Sequence, residues 1–93
     1  MNRTLAPLGL PRDRDGYQYG TAGQLAALLT SPERPITDAR IRDWARRSRK
    51  PADRLYGLLP AIHTPGPRTG NSYYRVVDAA TVELVTRPQQ AVR

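Results

Sequence analysis

The stretch "ITDARIRDWARR", residues 36–47, decides how the chain is read. Thr37 is a helix N-cap, and Asp38 in the first turn suits the positive end of a helix dipole. Ile36 and Ile41 stand at the two positions of a hydrophobic staple. Helical spacing turns Ile41, Trp44 and Ala45 inward and leaves Arg40, Arg42, Asp43, Arg46 and Arg47 outside. Two readings follow. The arginines form an ordinary solvated face with Asp43 pairing Arg46 or Arg47, or the helix is built to lie against phosphates.

Composition favours an anionic partner. The 93 residues make one small domain with a modest core, and the formal net charge is +7. Residues 36–55 alone carry +4, from seven basic and three acidic side chains. Lys50 is the single lysine; every other basic residue is arginine, which fits phosphate forks and guanine edges better than lysine does. Codon usage in a GC-rich genome produces the same bias. No cysteine is present, which excludes disulfides and thiolate metal sites. No apolar run approaches the roughly 20 residues of a membrane span, and "MNRTLAPLGLPRDRDG" lacks a signal-peptide core. A soluble cytoplasmic protein is expected.

Outward from the quoted helix, "TAGQLAALLT" reads as a preceding helix, with Thr21 and Gln24 in a capping-box pattern. Ala22, Leu25, Ala26 and Leu29 form its apolar stripe, and "SPERP" stops it. Residues 1–16, with two prolines, two glycines and "RDRD", read as a flexible N-terminal arm. On the other side, Pro51 ends the helical pattern or begins a turn around Ala52–Tyr56. "GLLPAIHT" predicts a short strand that Pro60 confines to an edge or bulge. "TPGPRTGNS" predicts a loop and "YYRVV" a second strand. Asp78 is expected to cap a third helix, "AATVELV", ending near Pro88, with residues 89–93 as a frayed tail. Residues 17–88 thus form a mainly α domain with a β-hairpin: helix, turn, helix, hairpin, helix, which is a winged helix-turn-helix.

"ITDARIRDW", "GLLP" at 57–60, "NSYYR" at 71–75 and "VD" at 77–78 resemble, in order and spacing, the winged helix-turn-helix of MerR-type regulators. The small phage and plasmid excisionases and single-domain regulators are related to it. The resemblance spans about residues 19–87. It places Trp44 as the aromatic of the second helix, Gly57 and Leu58 at the turn into the wing, Arg75 as the wing arginine and Asp78 as the next cap. Three departures stand out. "SRKPADRLY", residues 48–56, is an insertion between the second helix and the Gly-Leu-Leu. Val77 replaces a frequent tyrosine. The chain stops near the third helix, without the dimerisation helix and effector domain of full MerR regulators, so no small-molecule effector is expected.

On this reading Thr37, Arg40 and Arg42 face bases in the major groove, while Arg46 and Arg47 suit phosphates. Arg68 in the wing loop reaches a minor groove or phosphate, and Arg75 contacts phosphate from the strand. Asn71 is a further contact or a turn residue needing positive φ. His63, the single histidine, is a surface or phosphate-contacting residue, since no second histidine or cysteine supports a metal site. Of Tyr73 and Tyr74, one packs on the core and the other faces outward. Nothing supports catalysis: no Ser-His-acid context is present, and "TPGPRTGN" lacks a P-loop lysine. No cofactor is expected. The expected function is sequence-specific double-stranded-DNA binding, in transcriptional regulation or in excision on a mobile element. Self-association on DNA is expected through the insertion first, or through the wing or the N-terminal arm; otherwise the insertion is a plain connecting loop. The alternative is a winged-helix adaptor whose basic face binds an acidic protein.

Overall fold

The computed structural model describes residues 10–62 and 72–87. Their element order is β1 (Tyr19–Thr21), α1 (Ala22–Leu29), α2 (Asp38–Arg47), β2 (Tyr73–Arg75) and α3 (Val76–Val85). The result is a small mainly α domain of three helices and a two-stranded antiparallel sheet. None of the helices among the described residues is long and apolar enough to cross a membrane.

The first two helices begin where their local chemistry dictates. At α1 the capping box forms in both directions: the Gln24 amide donates to Thr21 Oγ1 at 3.2 Å, and the Thr21 amide donates to Gln24 Oε1 at 2.8 Å. At α2 the Arg40 amide donates to Thr37 Oγ1 at 3.1 Å. The loop between them is tied down by Thr30, whose hydroxyl accepts the Ile36 amide at 2.8 Å. The third helix differs from expectation. It starts at Val76, directly after β2, with Arg75 at the cap position and no side-chain cap, so Asp78 lies inside the first turn. The physical reason is that the Val76 amide, one of the orphan donors of a helix start, already donates to the Gln18 carbonyl at 2.9 Å. Burial raises the Asp78 carboxyl above its ordinary pKa; Arg75 opposes that shift and Asp13 adds to it.

The sheet is also rearranged. The partner of β2 is β1, in the register Tyr19↔Arg75, Gly20↔Tyr74 and Thr21↔Tyr73. Among the described residues of the strand expected over "GLLPAIHT", only Ile62 pairs, bridging Tyr73 from the other edge of β2. Residues 57–59 are turns instead, because their backbone donors go elsewhere. The Gly57 amide donates to the Ser48 carbonyl, and the Leu59 amide donates to Ser48 Oγ at 3.0 Å. Gly57 takes φ +76°, a left-handed conformation that glycine adopts without steric cost.

One core joins all these parts. Leu25 of α1, Ile41 of α2, Val82 of α3, and Leu55 and Leu59 of the segment after α2 are fully buried. Each such aliphatic side chain contributes about 1.5–3 kcal/mol by leaving water. Ile36 and Trp44 are buried among them, as the staple and the apolar stripe require. Tyr74 is buried on one side of β2, and Tyr73 meets Tyr19 edge-on at 5.6 Å on the other. Glu83 of α3 is the buried acid. It accepts from Arg34 Nε at 2.9 Å and from Arg87, so α3 is locked to the α1–α2 loop.

Residues 10–16, read from composition as part of an arm, turn back onto the sheet. Asp13 Oδ1 accepts the amides of Asp15 and Tyr17, and the Tyr19 amide donates to the Pro11 carbonyl at 3.0 Å. Residues 1–9 and the tail beyond residue 87 lie outside the described residues.

Candidate nucleic-acid interface

α2 presents its outer surface through an asymmetric arrangement of arginines. Its inner side is anchored by Ile41, Trp44 and Ala45. At about 100° per residue, Arg40 and Arg42 fall about 160° apart, on opposite flanks of the exposed face. Arg46 sits near Arg42, whereas Arg47 sits near Arg40.

Intramolecular pairing sorts these arginines further. Arg42 pairs with Asp38 at 3.0 Å, and Arg46 pairs with Asp43. Both side chains remain more than half exposed, at 62% and 53%. Exposed pairs of this kind stabilise by only about 0–1 kcal/mol, so a phosphate or a base edge displaces the carboxylate at little cost. Arg47 differs. Its guanidinium donates to Asp53 Oδ2 at 2.9 Å and is only 32% exposed. The Arg47 hydrogen bond, with help from the Leu55 amide, holds the Asp53 carboxyl below its ordinary pKa against opposing burial. Arg47 therefore fastens α2 to the segment that follows it.

All eight carboxylate side chains of the chain lie among the described residues. Even so, Arg40, Arg49, Lys50 and Arg54 pair with no carboxylate among the described residues. These cations belong to α2 and the turn after it. An open groove of about 560 Å³ runs along the Arg40 flank. It is lined by Thr37, Ala39, Arg40, Asp43, Trp44, Arg47, Arg54 and Thr86. Arg54 was absent from the expected contacts. The charge run "RRSRKPADR" carried the signal, but only the fold places Arg54 beside α2.

The strand residues are placed apart from this flank. Arg75 donates to Asp13 at 2.6 Å and to Asp15 at 2.8 Å, and its guanidinium lies 4.6 Å from the centre of the Tyr17 ring. The sequence reading gave Arg75 to phosphate; in the folded chain it clamps residues 13–17 to β2. Burial pushes the Asp13 carboxyl up, but the Arg75 hydrogen bond and the amides of Tyr17 and Asp15 outweigh it and hold the pKa below the ordinary range. Tyr73 is half-buried against Tyr19. The expected contacts His63, Arg68 and Asn71 lie outside the described residues.

Among the described residues no group of three or more His, Cys, Asp or Glu side chains is arranged to hold a metal ion. Guanidinium donors on a core-anchored helix, some without a carboxylate partner among the described residues and some in exposed pairs, are chemically able to bind anions. No protein-family model, no curated protein and no solved structure matches the chain.

Proposed function

We propose that this chain is a sequence-specific double-stranded-DNA-binding module of winged helix-turn-helix type, with α2 in the major groove. The observation that carries the reading is the outer face of α2. A capped, core-anchored helix presents Arg40 unpaired and Arg42 and Arg46 in exposed, exchangeable pairs. That is the side-chain chemistry that reads guanine edges and grips phosphates. Arg42 is the base reader of this set, and Thr37 lies at the helix start on the Arg40 flank. The wing of this reading is assigned by the resemblance to the residues between Ile62 and Tyr73, which include Arg68; in support, Ile62 bridges Tyr73. The biological role is transcriptional regulation or excision on a mobile element, in keeping with the resemblance to MerR-type regulators and excisionases.

Binding is tested by fluorescence anisotropy with duplexes selected from a random library, across a salt series. Affinity for selected duplexes exceeds that for random ones and falls steeply with salt, with a slope of log K against log salt of about −0.9 per neutralised phosphate. Equal affinity for every duplex refutes sequence specificity. No duplex binding at low salt refutes the reading outright and points to an acidic protein partner.

A further inference from the structure

We infer that the segment after α2, residues 48–56, together with Arg40, forms a phosphate clamp. This deepens the DNA-binding reading and rests on it for the source of the phosphate, a backbone phosphodiester. Arg40 and Arg54 line the same groove, and neither has a carboxylate partner among the described residues. Of the acids near the groove, Asp53 is held by Arg47, and Asp43, which lines the groove, is paired with Arg46 in an exposed pair, so the cations of the lining, Arg40, Arg47 and Arg54, outnumber its one acid. The groove therefore concentrates positive charge that the fold leaves uncompensated, beside the N-terminal end of α2, whose dipole also favours an anion.

Arg54 is placed by its neighbours on both sides. Asp53 is fixed by Arg47 and by the Leu55 amide, which donates to its Oδ1 at 2.9 Å. Leu55 is fully buried in the core. The Asp53 amide donates to the Lys50 carbonyl and the Tyr56 amide to the Asp53 carbonyl, which rigidifies the turn. The backbone at Arg54 is thereby fixed, so binding has only its side chain to order. Across the groove, Arg40 stands on the flank of α2 opposite Arg42. The clamp thus sets the helix on the backbone by one edge and leaves Arg42, on the opposite flank, turned toward the bases. Arg40 becomes a positioning contact, not a base reader.

The test uses the full chain and the variant R40Q/R54Q. Both substituted side chains are exposed, so the fold is retained, as the emission of the single tryptophan, the buried Trp44, verifies. The first arm titrates inorganic phosphate at low ionic strength and follows the amide shifts of Ala39, Arg40, Trp44 and Arg54. The second measures duplex affinity against salt. The expected results are phosphate-dependent shifts confined to the groove and lost in the variant. Duplex binding should fall about tenfold or more for all sequences alike, with the salt slope shallower by about 1.8, two phosphates' worth. Phosphate binding at the groove with no duplex binding upholds the clamp, assigns it to a free phosphorylated ligand and refutes the DNA reading. An unchanged salt slope together with no groove shifts overturns the clamp while leaving DNA binding intact. Loss of preference at particular base pairs in R40Q alone overturns the positioning role.

Discussion

Glu83 is the sharpest structural test, because two arginines from different parts of the chain converge on one buried carboxylate. Arg34 Nε donates to Glu83 Oε2 at 2.9 Å, and Arg34 Nη2 donates to Thr86 Oγ1 at 2.8 Å. Arg87 donates from Nε and Nη2 to the same carboxylate at 2.9–3.1 Å. The two arginines are unequal. Arg34 is 20% exposed and Arg87 56% exposed, against 9% for Glu83. A charge-assisted hydrogen bond in a desolvated site contributes about 1.5–3 kcal/mol, whereas an exposed pair contributes about 0–1. Arg34→Ala should therefore cost about 2–3 kcal/mol, since it also removes the Thr86 contact, and Arg87→Ala under about 1. In a domain of this size the first loss lowers Tm by about 10–20 °C. Thermal unfolding followed by circular dichroism, with Trp44 emission as a second probe, measures both. The Arg87 hydrogen bonds first, and Arg34 after them, hold the Glu83 carboxyl below its ordinary pKa in spite of burial. The stabilisation is thus fully present above the unfolded pKa, about 4.3, and is lost as pH falls through the lower folded value. Glu83→Gln removes that part of the pH dependence. Equal costs for the two arginine variants, or an acid-unfolding profile unchanged by Glu83→Gln, would refute the assignment of the α3 lock to Arg34.

Two further outcomes follow from the same geometry. Thr37→Ala removes the acceptor of the Arg40 amide and should destabilise the domain by about 1 kcal/mol in urea denaturation, while Thr37→Ser should restore most of it. Arg75→Gln releases Asp13 and Asp15, so native-state hydrogen exchange at the Asp13 and Gly16 amides should accelerate about tenfold or more with α2 amides unaffected; equal acceleration in α2 would show that the clamp serves the whole fold.

Much of the domain is legible in the sequence because its causes are local. The capping box at Thr21, the cap at Thr37 and the inward faces of α1 and α2 depend on residues within one or two turns of each other. Pattern and cap chemistry are therefore sufficient to place them. The concentration of arginine around α2 is equally a property of the chain alone.

Pairings between distant segments were decided only by the tertiary structure. β1 is three residues long, too short for alternation to reveal, and it becomes a strand because β2 lies beside it. The same contact gives the Val76 amide its acceptor, so α3 starts before Asp78. Charge in the sequence assigns no partner to an arginine. Asp13 and Arg75 are 62 positions apart and Arg34 and Glu83 are 49 apart, yet each pair is within 3 Å in space. Those contacts turn Arg75 and Arg34 into structural residues and leave Arg40 and Arg54 facing an open groove. An arginine's charge is set by its side chain, but its availability depends on which carboxylates the fold brings within reach.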